Sequence, residues 1–293
     1  MSQELSHPGE PYANTTSEPV QASLKKTLSN APYADAISSA LKQTPMPELS
    51  VVVPIKDEQD NIHPLISEIQ QSLHGLISYE IVYVDDGSHD QSLAILDRLQ
   101  QAGTVPLRIL RNPQSCGQST AVHLGVSNAR GRLIATLDGD GQNDPADIPA
   151  MLELAKAYHD KQDFLIAGYR KNRHDSRWKL FQSRIANKIR AALLGDNTPD
   201  TGCGLKLFPR HTFLKLPYFD HMHRFLPALV QRSGGEVKIS EVNHRARMTG
   251  VSKYGMLNRA WVGLVDIFGV MWLQRRNRMN AQCTEYRHDQ TGA

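Results

Sequence analysis

The chain has 293 residues, of which 40% are apolar and 22% charged, a composition typical of a soluble globular protein with a sizeable core. The formal net charge is only +3, and no basic face with aromatic platforms accompanies it, so a nucleic-acid binder is excluded. The three cysteines, at 116, 203 and 283, include no CxxC pair, which argues against a disulfide framework and a zinc site.

Composition divides the chain into four segments. Residues 1–47 are rich in Pro, Ser, Thr, Ala and Gln and lack apolar periodicity, which predicts a disordered leader. This leader has no basic segment followed by an apolar one, so it is not a signal peptide, and the expected compartment is the cytoplasm. One folded domain is predicted over 48–256, an amphipathic helix over 257–278, and a disordered tail over 279–293.

Short apolar runs alternate with helical patterns in the first part of the domain. The predicted strands are Leu49–Val53, Glu80–Val84, Leu107–Leu110, Leu133–Leu137 and Phe164–Ala167. Residues 58–76 and 90–103 carry apolar side chains at three- and four-residue spacings, as amphipathic helices do. Further on, the sequence predicts a basic helix over 177–194 and strands within 204–208 and 236–244. Apolar strands with helical connections predict an α/β fold with a mostly parallel sheet covered on both faces.

Three of the predicted strands run into acidic sequence. These strand ends read "PIKDE", "VDDGS" and "LDGDGQ", and the ends of parallel strands share one edge, so all three are expected to face one crevice. Asp138, Asp140 and Gln142 offer hard oxygen ligands of the kind that Mg²⁺ or Mn²⁺ prefers. Such a metal could neutralise charge on a departing diphosphate. A polar turn explains this stretch by itself equally well, because Asp and Gly are common turn residues.

Six motifs in order carry a family resemblance over about residues 48–256. They are "VVVPIKDEQDNI", "EIVYVDDGSHD", "LDGDGQNDP", "AGYR", "DTGCGLKLF" and "HRARMTGVSKYG". Together they resemble the family 2 glycosyltransferases of the GT-A fold, a Rossmann-like nucleotide-diphospho-sugar transferase fold. The resemblance is greatest to the dolichyl-phosphate mannosyltransferases and the bacterial polyprenyl-phosphate glycosyltransferases. One departure is Asp57, where the family often has Asn.

The resemblance implies roles for particular residues. The nucleotide base would contact Asp86, in a pocket shaped also by Pro54 and Glu58. The metal and diphosphate site would be formed by Asp138, Asp140 and Gln142. Phosphates would be faced by Arg170 and Arg184, and the loop over the acceptor would carry Arg247, Ser252 and Lys253. An arginine suits these positions because its planar fork matches phosphate oxygens, although surface solvation or pairing within a helix is the alternative explanation.

The expected mechanism depends on the acceptor. A lipid phosphate is already an anion, since such a monoester has its second pKa near ~6, and it needs no strong general base. A sugar hydroxyl needs a base, and Asp200 is the candidate. The resemblance also implies inversion at the anomeric carbon, giving a β-linked product from an α-linked donor.

The apolar run 261–273 near the C-terminus is too short to span a membrane and contains Asp266. One helical stripe is formed by Trp261, Leu264, Val265, Phe268 and Trp272. It is flanked by Arg259 and by Arg275, Arg276 and Arg278. This pattern predicts a helix lying on an anionic membrane, which would place the protein peripherally on the cytoplasmic face of the inner or plasma membrane. A core or dimer-interface helix is the alternative.

The sequence thus predicts a metal-dependent enzyme that moves a hexose from a nucleotide-diphosphate sugar to a polyprenyl or dolichyl phosphate. GDP-mannose is the favoured donor, with UDP-sugars next. The alternatives are a glycosyltransferase acting on a sugar or glycolipid hydroxyl, a nucleotidyltransferase, and a non-catalytic protein that docks on a membrane partner. The sugar, the base, the lipid, the choice between Mg²⁺ and Mn²⁺, and homo-oligomers or membrane-protein partners stay open.

Overall fold

The computed structural model of the chain describes residues 46–170, 187–245 and 256–276, with side chains from 262 onward in the last range. Several predictions fall elsewhere. Arg184, Arg247, Ser252 and Lys253 lie outside the described residues, as do most of the leader, the tail and the first part of the helix over 177–194. The predicted domain limits stay predictions.

A seven-stranded sheet forms the centre of the domain. Its strands are β1 (Leu49–Ile55), β2 (Tyr79–Asp86), β3 (Leu107–Asn112), β4 (Leu133–Thr136), β5 (Phe164–Arg170), β6 (Lys206–Pro209) and β7 (Glu236–Val242). The spatial order is β3-β2-β1-β4-β6-β5-β7. Strand β6 runs antiparallel to β4 and β5, and the other pairs are parallel. The predicted α/β class with a mostly parallel sheet is confirmed.

Helices cover both faces of the sheet. They are α1 (Ile62–Leu73), α2 (Ser92–Ala102), α3 (Gln118–Asn128), α4 (Ile148–Ala155), α5 (Arg210–Leu214), α6 (Leu226–Arg232) and α7 (Met256–Arg275), and residues 187–194 are also helical. All five early strands and the first two helices were predicted, with ends within three or four residues of those observed. The sequence analysis did not predict α3, α4, α5 or α6.

The two faces of the sheet have separate hydrophobic cores. Alternate residues of β1, Val51 and Val53, pack into the core formed with α1 and α4, whereas Val52 packs into the other core with α3 and α6. Strands buried on both faces are apolar at nearly every position, which is why β1 and β2 could be predicted from the sequence.

Helix α7 packs its inner side against the second core. Ile267 and Val270 are buried there, and the Arg232 side chain donates from Nε to the carbonyl of Leu273 at 2.8 Å. In the described ranges, every helix is too short or too polar to cross a bilayer.

Candidate active site

The acidic ends of β1, β2 and β4 are joined by hydrogen bonds into one edge of the sheet. β1 lies between β2 and β4 and is parallel to both, so Asp57, Asp86 and Asp138 lie at or just after strand ends on the same side. The 112–118 segment links two of them, because Gly117 N donates to Asp86 Oδ2 at 2.9 Å and Gln118 Nε2 donates to Asp138 Oδ1 at 2.8 Å.

Asp86 is a buried carboxylate whose oxygens each accept two hydrogen bonds from the protein. Oδ1 accepts from Asn112 Nδ2 at 2.8 Å and Cys116 N at 2.9 Å, and Oδ2 accepts from Ser115 Oγ at 2.7 Å and Gly117 N at 2.9 Å. Burial alone would raise the pKa of Asp86, but these hydrogen bonds lower it below its usual value. All four lone-pair positions are therefore used within the fold. Asp86 holds the 112–117 segment in place, and the predicted contact with a base would have to displace one of these donors.

Asp57 stands in the left-handed region of backbone space, with φ at +52°. Asn and Asp tolerate this conformation better than other residues with a Cβ, which accounts for Asp at the position where the family often has Asn. Its carboxylate accepts a hydrogen bond from His89 N at 2.7 Å, and its own N–H donates to Ser88 Oγ at 2.9 Å. Asp57 therefore joins the end of β1 to the turn after β2.

Asp138 is held in position from several sides. Its backbone N–H donates to Asn143 Oδ1 at 3.0 Å, and its side chain accepts from Gln118. A Cβ on Gly204 would overlap the carboxyl group, so this carboxylate can lie here only because residue 204 is glycine. Burial, and then the negative charge of Asp140, raise the pKa of Asp138 to about 6.

Two cations near the end of β4 oppose that increase in the pKa of Asp138. The charges of Lys206 and Arg170 both lower the pKa of Asp138. Lys206 is buried at the start of β6, and Arg170 is the last residue of β5. The pairing of β6 with β4 and β5 therefore brings both cations to Asp138.

The predicted metal ligands fit a divalent cation chemically. Asp138 and Asp140 are close enough for one charge to raise the pKa of the other, and a cation between them would relieve that repulsion. Asp140 Oδ1 also accepts from Gln142 N at 3.1 Å, so the turn is compact. Among the described residues, no group of three His, Cys, Asp or Glu side chains is placed to hold a metal ion. A cation bound at Asp138 and Asp140 would therefore take its other ligands from substrate or water oxygens.

Arg170 and Asp200 form a buried bidentate pair. Nε of Arg170 donates to Asp200 Oδ2 at 2.7 Å, and Nη2 donates to Oδ1 at 2.9 Å. Burial disfavours the charged guanidinium, but the Asp200 carboxylate outweighs it and raises the pKa of Arg170. Both predicted residues are thus brought together near Asp138, although each engages the other.

The other two residues predicted to bind the nucleotide-sugar donor lie near the same edge of the sheet. Pro54 lines a cavity beside Asp138, and Glu58 Oε2 accepts from Asn61 Nδ2 at 2.7 Å.

The turn after β4 is hydrogen-bonded to the segment that follows β7, because Arg245 N donates to the carbonyl of Gln142 at 3.1 Å. Arg245 Nη2 lies 2.6 Å from Asp144 Oδ1, and its Nη1 donates to Glu68 Oε1 at 2.7 Å.

Three residues of the site had no place in the sequence prediction: Gln118, Lys206 and His223. Gln118 begins α3 directly after Gly117, which has φ at +90°. Its segment "CGQST" lacks the lysine and the upstream glycine of a phosphate loop, so the sequence did not predict a site here. His223 carried no signal, because only the fold brings it to α3, where its Nδ1 lies 2.7 Å from Ser119 Oγ.

Comparison with known proteins places this site in a family context. The model of "Glycosyl transferase family 2" matches residues 50–216. The dodecaprenyl-phosphate galacturonate synthase of Rhizobium johnstonii is 38% identical over 78% of this chain and 68% of its own length. The undecaprenyl-phosphate 4-deoxy-4-formamido-L-arabinose transferase of Aeromonas hydrophila is 31% identical over 74% of this chain and 66% of its own. The chain therefore spans about two thirds of the length of these relatives.

Solved structures show the same fold. Glucosyl-3-phosphoglycerate synthase from Mycobacterium tuberculosis, in complex with Mn²⁺, UDP and glucosyl-3-phosphoglycerate, superposes with a TM-score of 0.56 over 78% of this chain and 80% of its own, at 15% identity. TarS of S. aureus gives 0.54 over 81% of this chain and 67% of its own, at 13% identity. The predicted GT-A fold is confirmed.

Proposed function

This chain belongs to glycosyl transferase family 2, and we propose that it transfers a sugar from a nucleotide-diphosphate donor to a polyprenyl phosphate. The names of the two relatives, which pair a sugar with dodecaprenyl or undecaprenyl phosphate, support this acceptor. They name galacturonate and 4-deoxy-4-formamido-L-arabinose rather than mannose, so the donor is not restricted here to the GDP-mannose favoured from the sequence.

The Arg170–Asp200 pair is the observation that carries the choice of acceptor. A hydroxyl acceptor needs a base, yet both oxygens of Asp200, the candidate, accept hydrogen bonds from a guanidinium. A carboxylate held in this way is a poor proton acceptor, because the neighbouring cation stabilises its ionised form. An acceptor phosphate brings its own negative oxygen and needs no such base. The pair therefore favours a phosphate over a hydroxyl.

In the proposed reaction an acceptor phosphate oxygen forms a bond to the anomeric carbon, and the bond from that carbon to the donor diphosphate breaks. Attack from the opposite side inverts the centre, and the nucleoside diphosphate leaves. Mg²⁺ or Mn²⁺ bound at Asp138 and Asp140 would supply Lewis-acid stabilisation of the leaving charge. Lys206 and Arg170 lie beside that position and reduce the repulsion between two anionic substrates.

We also place the protein at a membrane surface through the outer face of α7. Its exposed apolar side chains include Val265, Phe268 and Trp272, of which Phe268 is 64% and Trp272 59% exposed. The exposed side chains of Arg275 and Arg276 follow at the end of the helix. Apolar side chains beside arginines suit a bilayer surface with anionic lipids, where a polyprenyl phosphate would be found.

The test uses purified protein with Mg²⁺ or Mn²⁺, a panel of radiolabelled UDP- and GDP-sugars, and a short polyprenyl phosphate. We expect label from one donor to enter the organic phase, and expect Asp140→Asn to lose at least about a hundredfold of that rate, as for removal of a key electrostatic group. Asp160→Asn is the matched control, since Asp160 pairs with Arg132 at the surface.

Two other outcomes would change the proposal. Release of nucleoside diphosphate with a sugar or glycolipid acceptor, without label in the lipid, would replace the phosphate acceptor by a hydroxyl. Absence of any nucleotide binding would overturn the enzymatic proposal.

A further inference from the structure

A small cavity lies beside Asp138, below the strand ends. It has a volume of about 70 Å³, and its polar lining includes Gln118, Asp138, Lys206 and His223, together with the turn 201–204. On this measure a cavity needs only about 10–15 Å³ to hold one water, so the space can admit water molecules or a small polar group of a ligand.

Lys206 gives this cavity its charge. Its side chain is only 3% exposed, and its Nζ donates to the backbone carbonyls of Cys203 and, at 3.5 Å, Thr201. Carbonyl groups satisfy N–H donors but are neutral. Among the described residues, no carboxylate forms a salt bridge with Lys206. Buried charges in proteins are normally paired, so within the described part of the chain this ammonium group is without the carboxylate that its burial calls for.

The two carboxylates whose charges act on Lys206 are engaged with other groups. Asp200 is bound by the Arg170 guanidinium, and Asp138 accepts from Gln118 and belongs to the proposed metal site. Burial lowers the pKa of Lys206, whereas Cys203, Asp138 and Asp200 raise it. An anion that enters the cavity would act in the same direction as these acids and favour the charged lysine.

The other basic side chain in the lining is neutral. Burial, and then the nearby charge of Arg224, lower the pKa of His223 well below its usual value. Its Nδ1 is engaged with Ser119 Oγ. Lys206 is therefore the one cation in the described lining of the cavity.

We infer that this cavity is an anion subsite of the donor site, in which Lys206 binds either a phosphate of the nucleotide or the carboxylate of an acidic sugar. The inference rests on the proposed function and goes further, because it assigns Lys206 a direct contact with one anionic group of the donor, beyond its effect on the charge near Asp138. Both sources offer the same chemistry, a small group with negatively charged oxygens that fits a space of this size.

The experiment measures dissociation constants by titration calorimetry with the full chain in saturating Mg²⁺. The ligands are UDP, GDP, UDP-glucose and UDP-galactose, and the corresponding acidic donors UDP-glucuronate and UDP-galacturonate. Lys206→Gln removes the charge and keeps an N–H donor for the carbonyls, whereas Lys206→Arg keeps the charge. Lys156→Met controls for loss of an exposed lysine, which pairs with Glu153.

We expect Lys206→Gln to weaken binding about tenfold to a hundredfold, as for loss of a hydrogen bond to a charged group, and Lys206→Arg to restore part of it. Weakening of the nucleoside diphosphate and all its sugars alike identifies a phosphate. Weakening of the uronates alone identifies a sugar carboxylate. If Lys206 had only a structural role, the loss of affinity would not depend on which ligand is bound. It would also be the same for Lys206→Gln and Lys206→Arg.

Unchanged affinity of Lys206→Gln for every ligand would overturn the inference while the proposed function stands. Equal losses in Lys206→Gln and Lys206→Arg would also overturn it, since charge would then not matter. If the native protein binds no nucleotide at all, the proposed function fails, and the inference fails with it. Melting temperatures of all variants show whether a loss of binding follows from unfolding.

Discussion

At the scale of single residues, Gly204 controls the position of Asp138. A side chain at 204 would overlap the Asp138 carboxyl group. We predict that Gly204→Ala displaces this carboxylate and weakens Mn²⁺-dependent nucleotide binding by at least about tenfold, since each ~1.4 kcal/mol of lost interaction is a factor of ten. Calorimetry with UDP and GDP in Mn²⁺ provides the measurement.

Gly269→Ala is the matched control for this substitution. A Cβ at 269 meets nothing within 4 Å, and the residue lies in α7, where alanine is the better helix former. Equal nucleotide affinity in the two variants would show that Asp138 can move without consequence for the site.

Glu80 is a second residue whose contacts predict a measurable effect, in this case on stability. Its buried carboxylate accepts from Ser50 Oγ and Arg130 N, both at 2.6 Å, and from Arg108 Nη1 at 3.0 Å. It therefore ties β2 to β1, to β3 and to the turn before β4. We predict that Glu80→Gln lowers the free energy of unfolding by about 1–3 kcal/mol at pH 7, measured by urea unfolding.

This effect should depend on pH. Burial alone would raise the pKa of Glu80, but the hydrogen bonds from Ser50, Arg130 and Arg108 lower it. The stability contributed by the carboxylate is therefore complete above its unfolded pKa of about 4.3, and it is lost as the pH falls through the lower folded value. The difference between native protein and Glu80→Gln should shrink towards pH 3. Exposed Glu153→Gln should show little effect at either pH, and a difference for Glu80→Gln that persists at pH 3 would contradict this account.

At the scale of elements, α7 has two apolar sides. The sequence predicted one stripe through Trp261, Leu264, Val265, Phe268 and Trp272. The last four side chains are exposed, and that of Trp261 lies outside the described side chains. The opposite side buries Ile267 and Val270, so the helix is also a core helix. The core alternative therefore describes the inner side of the helix, and membrane contact of the outer side stays a prediction.

We predict that the double variant Phe268→Glu/Trp272→Glu loses at least about tenfold of its affinity for vesicles containing phosphatidylglycerol, because burial of each large side chain contributes about 1.5–3 kcal/mol. Co-sedimentation measures this, and UDP binding by the same variant should be unchanged. Leu214→Glu, at an exposed position on α5, is the control. Undiminished sedimentation of the double variant would argue that the outer face of α7 contacts a protein instead.

The elements that were predicted and those that were not differ in a physical way. Strands β1 and β2 are buried on both faces and therefore apolar throughout, which a local reading detects. Helix α3 reads "QSTAVHLGVSN" and has no regular apolar stripe, so its place in the core follows from contact with the sheet. Short α6 is buried along most of its length, which gives no periodicity to detect.

At the scale of the whole molecule, strand order decides which charges meet. Strand β6 enters the sheet antiparallel between β4 and β5, although β5 precedes it in the chain. This insertion carries Lys206 and Arg170 to Asp138, from which they are separated by 68 and 32 positions in the sequence. The proximity of these charges depends on the order of strands in the complete sheet, and no local sequence pattern predicts it.

The sequence by itself determined the α/β class, the early strands and the acidic strand ends, because burial and strand-end chemistry leave local patterns. It also marked Asp138, Asp140, Arg170 and Asp200 as site residues, whose roles remain to be tested. Only the tertiary structure decided that Asp86 is saturated by the 112–117 segment, that Arg170 engages Asp200, and that Lys206 lines a cavity without a carboxylate partner in the described residues. Hydrogen-bond partners and buried charges depend on which distant segments are brought together, and that is set by packing of the whole domain.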